Sequence, residues 1–413
     1  MFQWNGEAIE DDTVSSKVER LRAGSEDHGA PPRRRRPHVS LLVAYRNLVH
    51  DRASLAVTII GIVFSVVLVT VQCGLYLGSV QMIAAVQDHA GGDLWIIPFG
   101  TQSFDDPSLL QGHEKYAALG TPGVAKVEEL VVDFGGWQKP GGGVTAVLVV
   151  GFDHRAKAFS PWDIVEGTVK ELAAPAAISV DKSYLADLGI EELGDSAEIN
   201  GIRAKVVALS DGIRSFTTLP YVFASLGRAR SLLSVEPDQA TYLLVDLKPG
   251  ADIDRVSQAL RKRLPDAEVL THAEFRNRGL NYWLFQTGAG AALIAGAVLG
   301  LIVGLVIVAQ TLYASTKDHL NEFATMRALG SSAGYIQRII LMQAVMSAVL
   351  GYSLGIVLSY LLVEALRHTD LMALVTPELA LMMFALTLAM CVGAAFSAIL
   401  KVTRIDPAGV FNR

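Results

Sequence analysis

Few residues in this chain are spaced for chemistry, and each such group carries a structural alternative. Gly351-Tyr352-Ser353-Leu354-Gly355 fits the Gly-x-Ser-x-Gly pattern, which exposes a serine nucleophile only where a strand turns sharply into a helix. These residues sit inside a long apolar run, where small residues at spacing four let helices approach each other. Hydrolysis of a nucleoside triphosphate needs a glycine-rich loop closing on Gly-Lys-Ser/Thr to hold the phosphates. No Gly-Lys pair occurs in the sequence, so the chain is not expected to carry that ATPase. The nine histidines follow neither His-x-x-x-His nor His-x-x-Glu-His spacing, so no metal site is expected. The only cysteines, Cys73 and Cys391, lie in apolar runs, which excludes a disulfide framework or a thiolate site. The expectation is a non-catalytic chain with no cofactor of its own.

Other candidates are polar or small residues within the apolar runs. Gln72, Gln310 and Gln343 are expected to hydrogen-bond between helices, and no acidic or basic residue in the runs marks an ion route. Gly288, Ala292, Gly296, Gly300 and Gly304 recur every fourth residue and share one helix face. Two readings of this stripe stay open: packing within one chain, or a symmetric interface with a second copy.

The elements that position these residues follow from composition. The 413 residues are 51% hydrophobic and 18% charged, and the mean hydropathy of +0.37 is too high for an ordinary soluble enzyme. A net charge of −6 leaves no overall basic field to gather nucleic acid. Four intervals, 53–87, 279–316, 339–363 and 379–400, contain no Asp, Glu, Lys or Arg. Each is long enough for the ~20 residues that cross ~30 Å of hydrocarbon. We expect transmembrane helices at 55–77, 289–312, 338–363 and 379–400. Arg33 to Arg36, Arg46 and Arg52 precede the first, Lys317, Arg327 and Arg338 lie between the second and third, and Lys401, Arg404 and Arg413 follow the fourth. The positive-inside bias puts these flanks and both termini in the cytoplasm.

Residues 78–285 are then extracytoplasmic. The expected fold class is an α+β membrane protein, four transmembrane helices with a large mixed α/β domain between helices 1 and 2. Runs 144–150 and 241–247 read as strands, and Asn200-Gly201 as a type I′ hairpin turn. Asp252 can cap a helix with Ile253, Val256, Leu260 and Leu264 on one face, and 183–188 reads as a shorter helix. A second lobe is expected near 173–272. Residues 1–37 read as a disordered cytoplasmic tail whose Arg33 to Arg36 either meet anionic membrane lipid or act only as a positive-inside stop. Residues 38–54 read as an amphipathic helix at the interface.

Segment 313–337, cytoplasmic on this topology, is longer than a connection requires. Leu320, Phe323 and Ala324 share a helix face, and Gly330 suits the left-handed position that ends a helix. A short apolar-faced helix beneath two membrane helices is suited to a partner's groove, or alternatively to resting on the bilayer surface.

Specific stretches then bring a family into view. Glu322-Phe323-Ala324-Thr325-Met326-Arg327-Ala328-Leu329-Gly330 and Arg404-Ile405-Asp406-Pro407-Ala408 resemble the cytoplasmic segment and C-terminal ending of the MacB/FtsX-like ABC transporter permeases, DevC-like permeases among them. Ala44-Tyr45-Arg46-Asn47-Leu48 and Gly92-Asp93-Leu94-Trp95-Ile96 are similar to the stretch before that family's first span and to the strand entering its outer domain. The resemblance covers roughly residues 39–413 and the layout of one span, a large domain and three spans. It implies a multi-pass protein of the bacterial cell inner membrane, working as a homodimer with a separate ABC ATPase subunit that binds the ATP and Mg. A periplasmic adaptor of the membrane-fusion type is a further implied partner, and nucleic acid is not. Leu320, Glu322, Phe323, Met326, Arg327, Leu329 and Gly330 become the implied ATPase-coupling residues. The implied function is substrate efflux by mechanotransmission. Regulation of a cell-wall hydrolase in the manner of FtsX, or extraction of lipid or lipoprotein, are the alternatives the same resemblance leaves open.

Overall fold

The computed structural model describes residues 52–318, 322, 325, 331–366 and 372–403. The expected tail 1–37, residues 38–51 of the expected interfacial helix and residues 404–413 lie outside them.

Helix α1 (Arg52–His89) meets no charge between Arg52 and Asp88, so nothing stops it at the expected position 77. Residues 52–54, expected at the interface, form its first turn. Toward its C-terminal end, Met82 to Gln87 are buried, with Val86 in a core cluster of the domain that follows. An apolar stretch reads the same in lipid and in a protein core, which is why composition could not divide this helix.

That domain is built on ten strands: β1 (Leu94–Pro98), β2 (Val124–Gln138), β3 (Val144–Phe152), β4 (Ile164–Glu166), β5 (Ala177–Asp181), β6 (Ser196–Ile199), β7 (Ile202–Ser210), β8 (Tyr221–Ser225), β9 (Tyr242–Leu247) and β10 (Ala267–Thr271). They form one sheet in the order β10-β1-β9-β2-β3-β8-β5-β7-β4, with β6 paired to both β2 and β7. Pairing is antiparallel except at β3–β8 and β5–β7. The sheet runs unbroken through the region expected to be a second lobe.

Five helices accompany it: α2 (His113–Leu119), α3 (Leu185–Leu188), α4 (Leu226–Leu233), α5 (Ile253–Arg263) and α6 (His272–Asn281). Both faces of the sheet are covered, because β3 sends Leu148 and Val150 into one cluster and Val147 and Val149 into another. α4 packs Ala229 and Leu232 on the second face, while α5 covers β1 and β9 with Val256 and Leu260. The end of α1, the residue after it and α6 cover the first face through Val86, Ala90 and Phe275. Burial on both sides explains why 147–150 reads as an unbroken apolar run.

The local signals carry through. Asn200 and Gly201 have φ of 53° and 78°, the two positive values a type I′ turn requires, and join β6 to β7. Asp252 accepts hydrogen bonds from the N–H groups of Asp254 and Arg255 at the start of α5, whose Val256 and Leu260 turn inward while Ile253 stays exposed.

Three further helices complete the set long and apolar enough to cross a membrane among the described residues: α7 (Ala289–Asp318), α8 (Ala333–Leu366) and α9 (Pro377–Thr403). α9 opens on Pro377, the favoured first helical position, with Thr376 Oγ1 accepting from Leu379 N at 3.2 Å. α1 lies among them. Its Ile62 and Val66 pack with Val308 and Leu312 of α7, Ile340 and Ala344 of α8, and Cys391 and Ala394 of α9.

Candidate functional site at the joint between helices and sheet

Glycines bring the membrane helices together. A Cβ on Gly300 would stand 2.9 Å from Leu68, one on Gly296 would stand 2.6 Å from Gln72, and Gly304 faces Ser65. Ser65 Oγ donates to the Gly300 carbonyl at 3.0 Å, so three members of the stripe pack on α1 of the same chain. Ala292 is exposed, and Gly288 precedes α7 with nothing near it. Gly351 and Gly355 of α8 lie against Ile62 and Val66 of α1. The intervening Ser353 is exposed and donates to Val349 O at 2.8 Å one turn back. The Gly-x-Ser-x-Gly run is therefore mid-helix packing with no elbow. Gln343 is buried, Gln310 is exposed, and Gln72 Oε1 has no hydrogen-bond partner among the described residues.

Above the bundle, helix α6 joins α1 to the sheet. Its start is fixed by a capping box: Glu274 N donates to Thr271 Oγ1 at 3.2 Å and Thr271 N donates to Glu274 Oε2 at 2.7 Å. On its inner face Phe275 meets Trp95 and Tyr242 at ring distances of 5.2 and 5.7 Å. One turn on, Gly279 lets α1 come close, with Ile83 and Gln87 3.8 Å from where a Cβ would be.

Charged groups tie α6 in two directions. The Arg276 guanidinium reaches Asp88 of α1 with Nε–Oδ1 at 2.6 Å and Nη2–Oδ2 at 3.3 Å, a bidentate pair. Arg278 donates to Glu268 of β10 at 2.6 Å and to Thr101 O at 3.2 Å. That guanidinium holds the Glu268 carboxyl below the usual carboxylate range. The far end of α1 is secured separately. His89 stacks on Trp162 with ring centres 4.0 Å apart and planes 3° from parallel, and Gly91 N donates to Ala158 O at 2.5 Å. His272 Nε2 lies 2.7 Å from Gln87 O.

Between α6 and α7 the chain makes one π-turn, Tyr282–Gln286, then passes Gly288 at φ +83°. A π-turn next to a left-handed glycine breaks the regular ladder, which gives α7 a hinge beneath the sheet. Trp283 in this turn packs on Phe216 at 5.3 Å, linking the hinge to the connection between β7 and β8.

Apart from Gly288, a member of the small-residue stripe, and Trp95, within the stretch 92–96, none of these joint residues is singled out by the sequence. Asp88 and Arg276 stand 188 positions apart, so no spacing pattern connects them. The usable signal was the charge-free run itself, which continues past any span length to end at Asp88. Of the candidate ATPase-coupling residues, Glu322 is helical and exposed. Leu320, Phe323, Met326, Arg327, Leu329 and Gly330 lie outside the described residues.

Comparison with known proteins gives the chain a family context. Residues 55–263 match the family model of the MacB-like periplasmic core domain, and residues 294–407 match that of the FtsX-like permease C-terminal region. The pyoverdine export ATP-binding/permease protein PvdT of Pseudomonas entomophila is 25% identical over 398 residues, covering 89% of this chain and 58% of its own length. This chain thus spans a little over half of that relative. An uncharacterised ABC transporter permease of Methanocaldococcus jannaschii is 24% identical over 343 residues, covering 79% of this chain and 84% of its own. Among solved structures, the periplasmic region of MacB from Actinobacillus actinomycetemcomitans aligns with 46% of this chain and 94% of its own at 11% identity and a TM-score of 0.34. On the two family models, which take in the sheet domain and the helices after it, the chain belongs to the MacB/FtsX-like family of ABC transporter permeases.

Proposed function

We propose that this chain is the membrane subunit of an export complex in which a separate ATPase, holding ATP and Mg, works on segment 313–337. Two permease copies and a periplasmic adaptor complete the complex in the bacterial inner membrane, with both termini cytoplasmic. Closure of the ATPase moves the cytoplasmic ends of α7 and α8, and the sheet domain shifts to expel its substrate.

The observation that carries this reading is the continuity of α1. It runs without a break from Arg52 into the core under the sheet, so a tilt or axial shift at one end arrives at the other. α7 reaches the same place through the hinge and α6, and Arg276–Asp88 locks the two paths together. The name of the pyoverdine-export relative supports efflux over control of a cell-wall hydrolase. Within 313–337, Glu322, Arg327 and Leu329 are the residues assigned to the ATPase contact.

Substitution of Glu322 or Leu329 by Ala tests the docking. The expected outcome is loss of ATPase co-purification and of ATP-driven transport with the fold intact. Unchanged values for both would remove the assignment.

A further inference from the structure

Residues 372–376, which lead into α9, cross α1 in a way that packing alone does not require. Leu374 N donates to the Gly74 carbonyl at 3.0 Å, a main-chain bond from a loop onto the backbone of a membrane helix. One turn further out, a Cβ on Gly78 would collide with the Met372 carbonyl, and one on Gly74 would stand 3.0 Å from the Leu374 carbonyl. The two glycines therefore sit on one face of α1 and form the bed on which 372–374 lies. The strap is fixed at its other end too. Thr376 caps α9, and Tyr352 of α8 donates its hydroxyl to Ala380 O of α9 at 2.7 Å.

We infer that residues 372–376 are a clasp binding the outer end of the α8–α9 pair to α1, with Gly74 and Gly78 as its positioning residues. This inference rests on the proposed function, and it adds a second route for movement into the sheet. Displacement entering α8 from 313–337 would otherwise be spent in sliding α8 and α9 past α1. With the clasp closed, α1 is carried along, and Asp88, His89 and the sheet move with it.

Two variants break the clasp by different means. Gly78→Val fills the bed, while Leu374→Pro removes the donating N–H and leaves α1 untouched. Spin labels at Gln81 of α1 and Leu381 of α9, both exposed, measure the distance across the clasp. The sample is the full chain reconstituted with its ATPase. One narrow distance with and without ATP and Mg is expected in the parent. In both variants ATP should broaden the distribution about two-fold, as released helices sample more separations. A parent distance that moves with ATP, or variant distances as narrow as the parent's, overturns the clasp. If Gly78→Val fails to fold, Leu374→Pro decides alone. Amide exchange over 282–288 in the same samples separates the two ideas: no ATP response there in the parent sinks the lever reading, while the label distance still judges the clasp.

Discussion

Asp105 lies in the loop after β1, where Tyr221 donates its hydroxyl to Oδ1 at 2.6 Å and the Tyr242 hydroxyl donates to Phe104 O at 3.0 Å. Burial pushes the Asp105 carboxyl up to about 6, against the opposing pull of the Tyr221 hydrogen bond. Between pH 4 and 6 the folded chain keeps a proton that the unfolded chain has released, so stability falls as pH rises through that window and levels off above it. Asp105→Asn keeps an acceptor for Tyr221 and removes the half-buried charge. Thermal melts should show it stabilising the domain by about 1–2 kcal/mol at pH 7.5 and leaving it unchanged at pH 4. At the joint, Asp88→Arg or Arg276→Asp alone sets like charges together, while the double exchange restores the pair. ATP-driven transport is expected to fall in each single variant and to recover in the double. Stability should change by only about 0.5–1 kcal/mol, since the pair is partly exposed. Transport that ignores both single changes would show that the pair carries no movement.

At the scale of elements, the glycine stripe divides by depth. Gly300→Leu drives a side chain into Leu68 and Val69 of α1 and should cost about 1–3 kcal/mol by overpacking, read as a lower melting temperature in detergent. Ala292→Leu, on the exposed part of the same stripe, should leave the melt unchanged. Equal losses for the two would mean that α1 and α7 do not pack as described. These elements were unequally legible from sequence. Four charge-free runs announce the membrane helices, Asn200-Gly201 announces its hairpin, and Asp252 announces α5, because each signal is local. The sheet order was not legible, since β1 pairs with β9 and β10 far along the chain and edge-to-edge pairing leaves no spacing to read. Nor was the end of α1, whose Met82 to Val86 are apolar toward protein where the preceding turns are apolar toward lipid. The candidate site fared similarly: Gly296, Gly300 and Gly304 were found by period, but Asp88, Arg276 and the π-turn needed the fold.

The whole molecule is a sheet domain carried on two helices that reach it by different joints. α1 enters it rigidly, held by the His89–Trp162 stack and the Gly91 hydrogen bond. α7 enters through the π-turn and Gly288, where the helical ladder is already interrupted. On the proposed function, a fixed post beside a hinged one would convert relative movement of the two into rotation of what they carry. The most direct test is amide exchange over 282–288 in the reconstituted full chain, with and without its ATPase. ATP and Mg should raise exchange there by about ten-fold, equal to ~1.4 kcal/mol in local opening, only when the ATPase is bound. An unchanged hinge, or the same rise with ATP in the absence of the ATPase, would contradict the account.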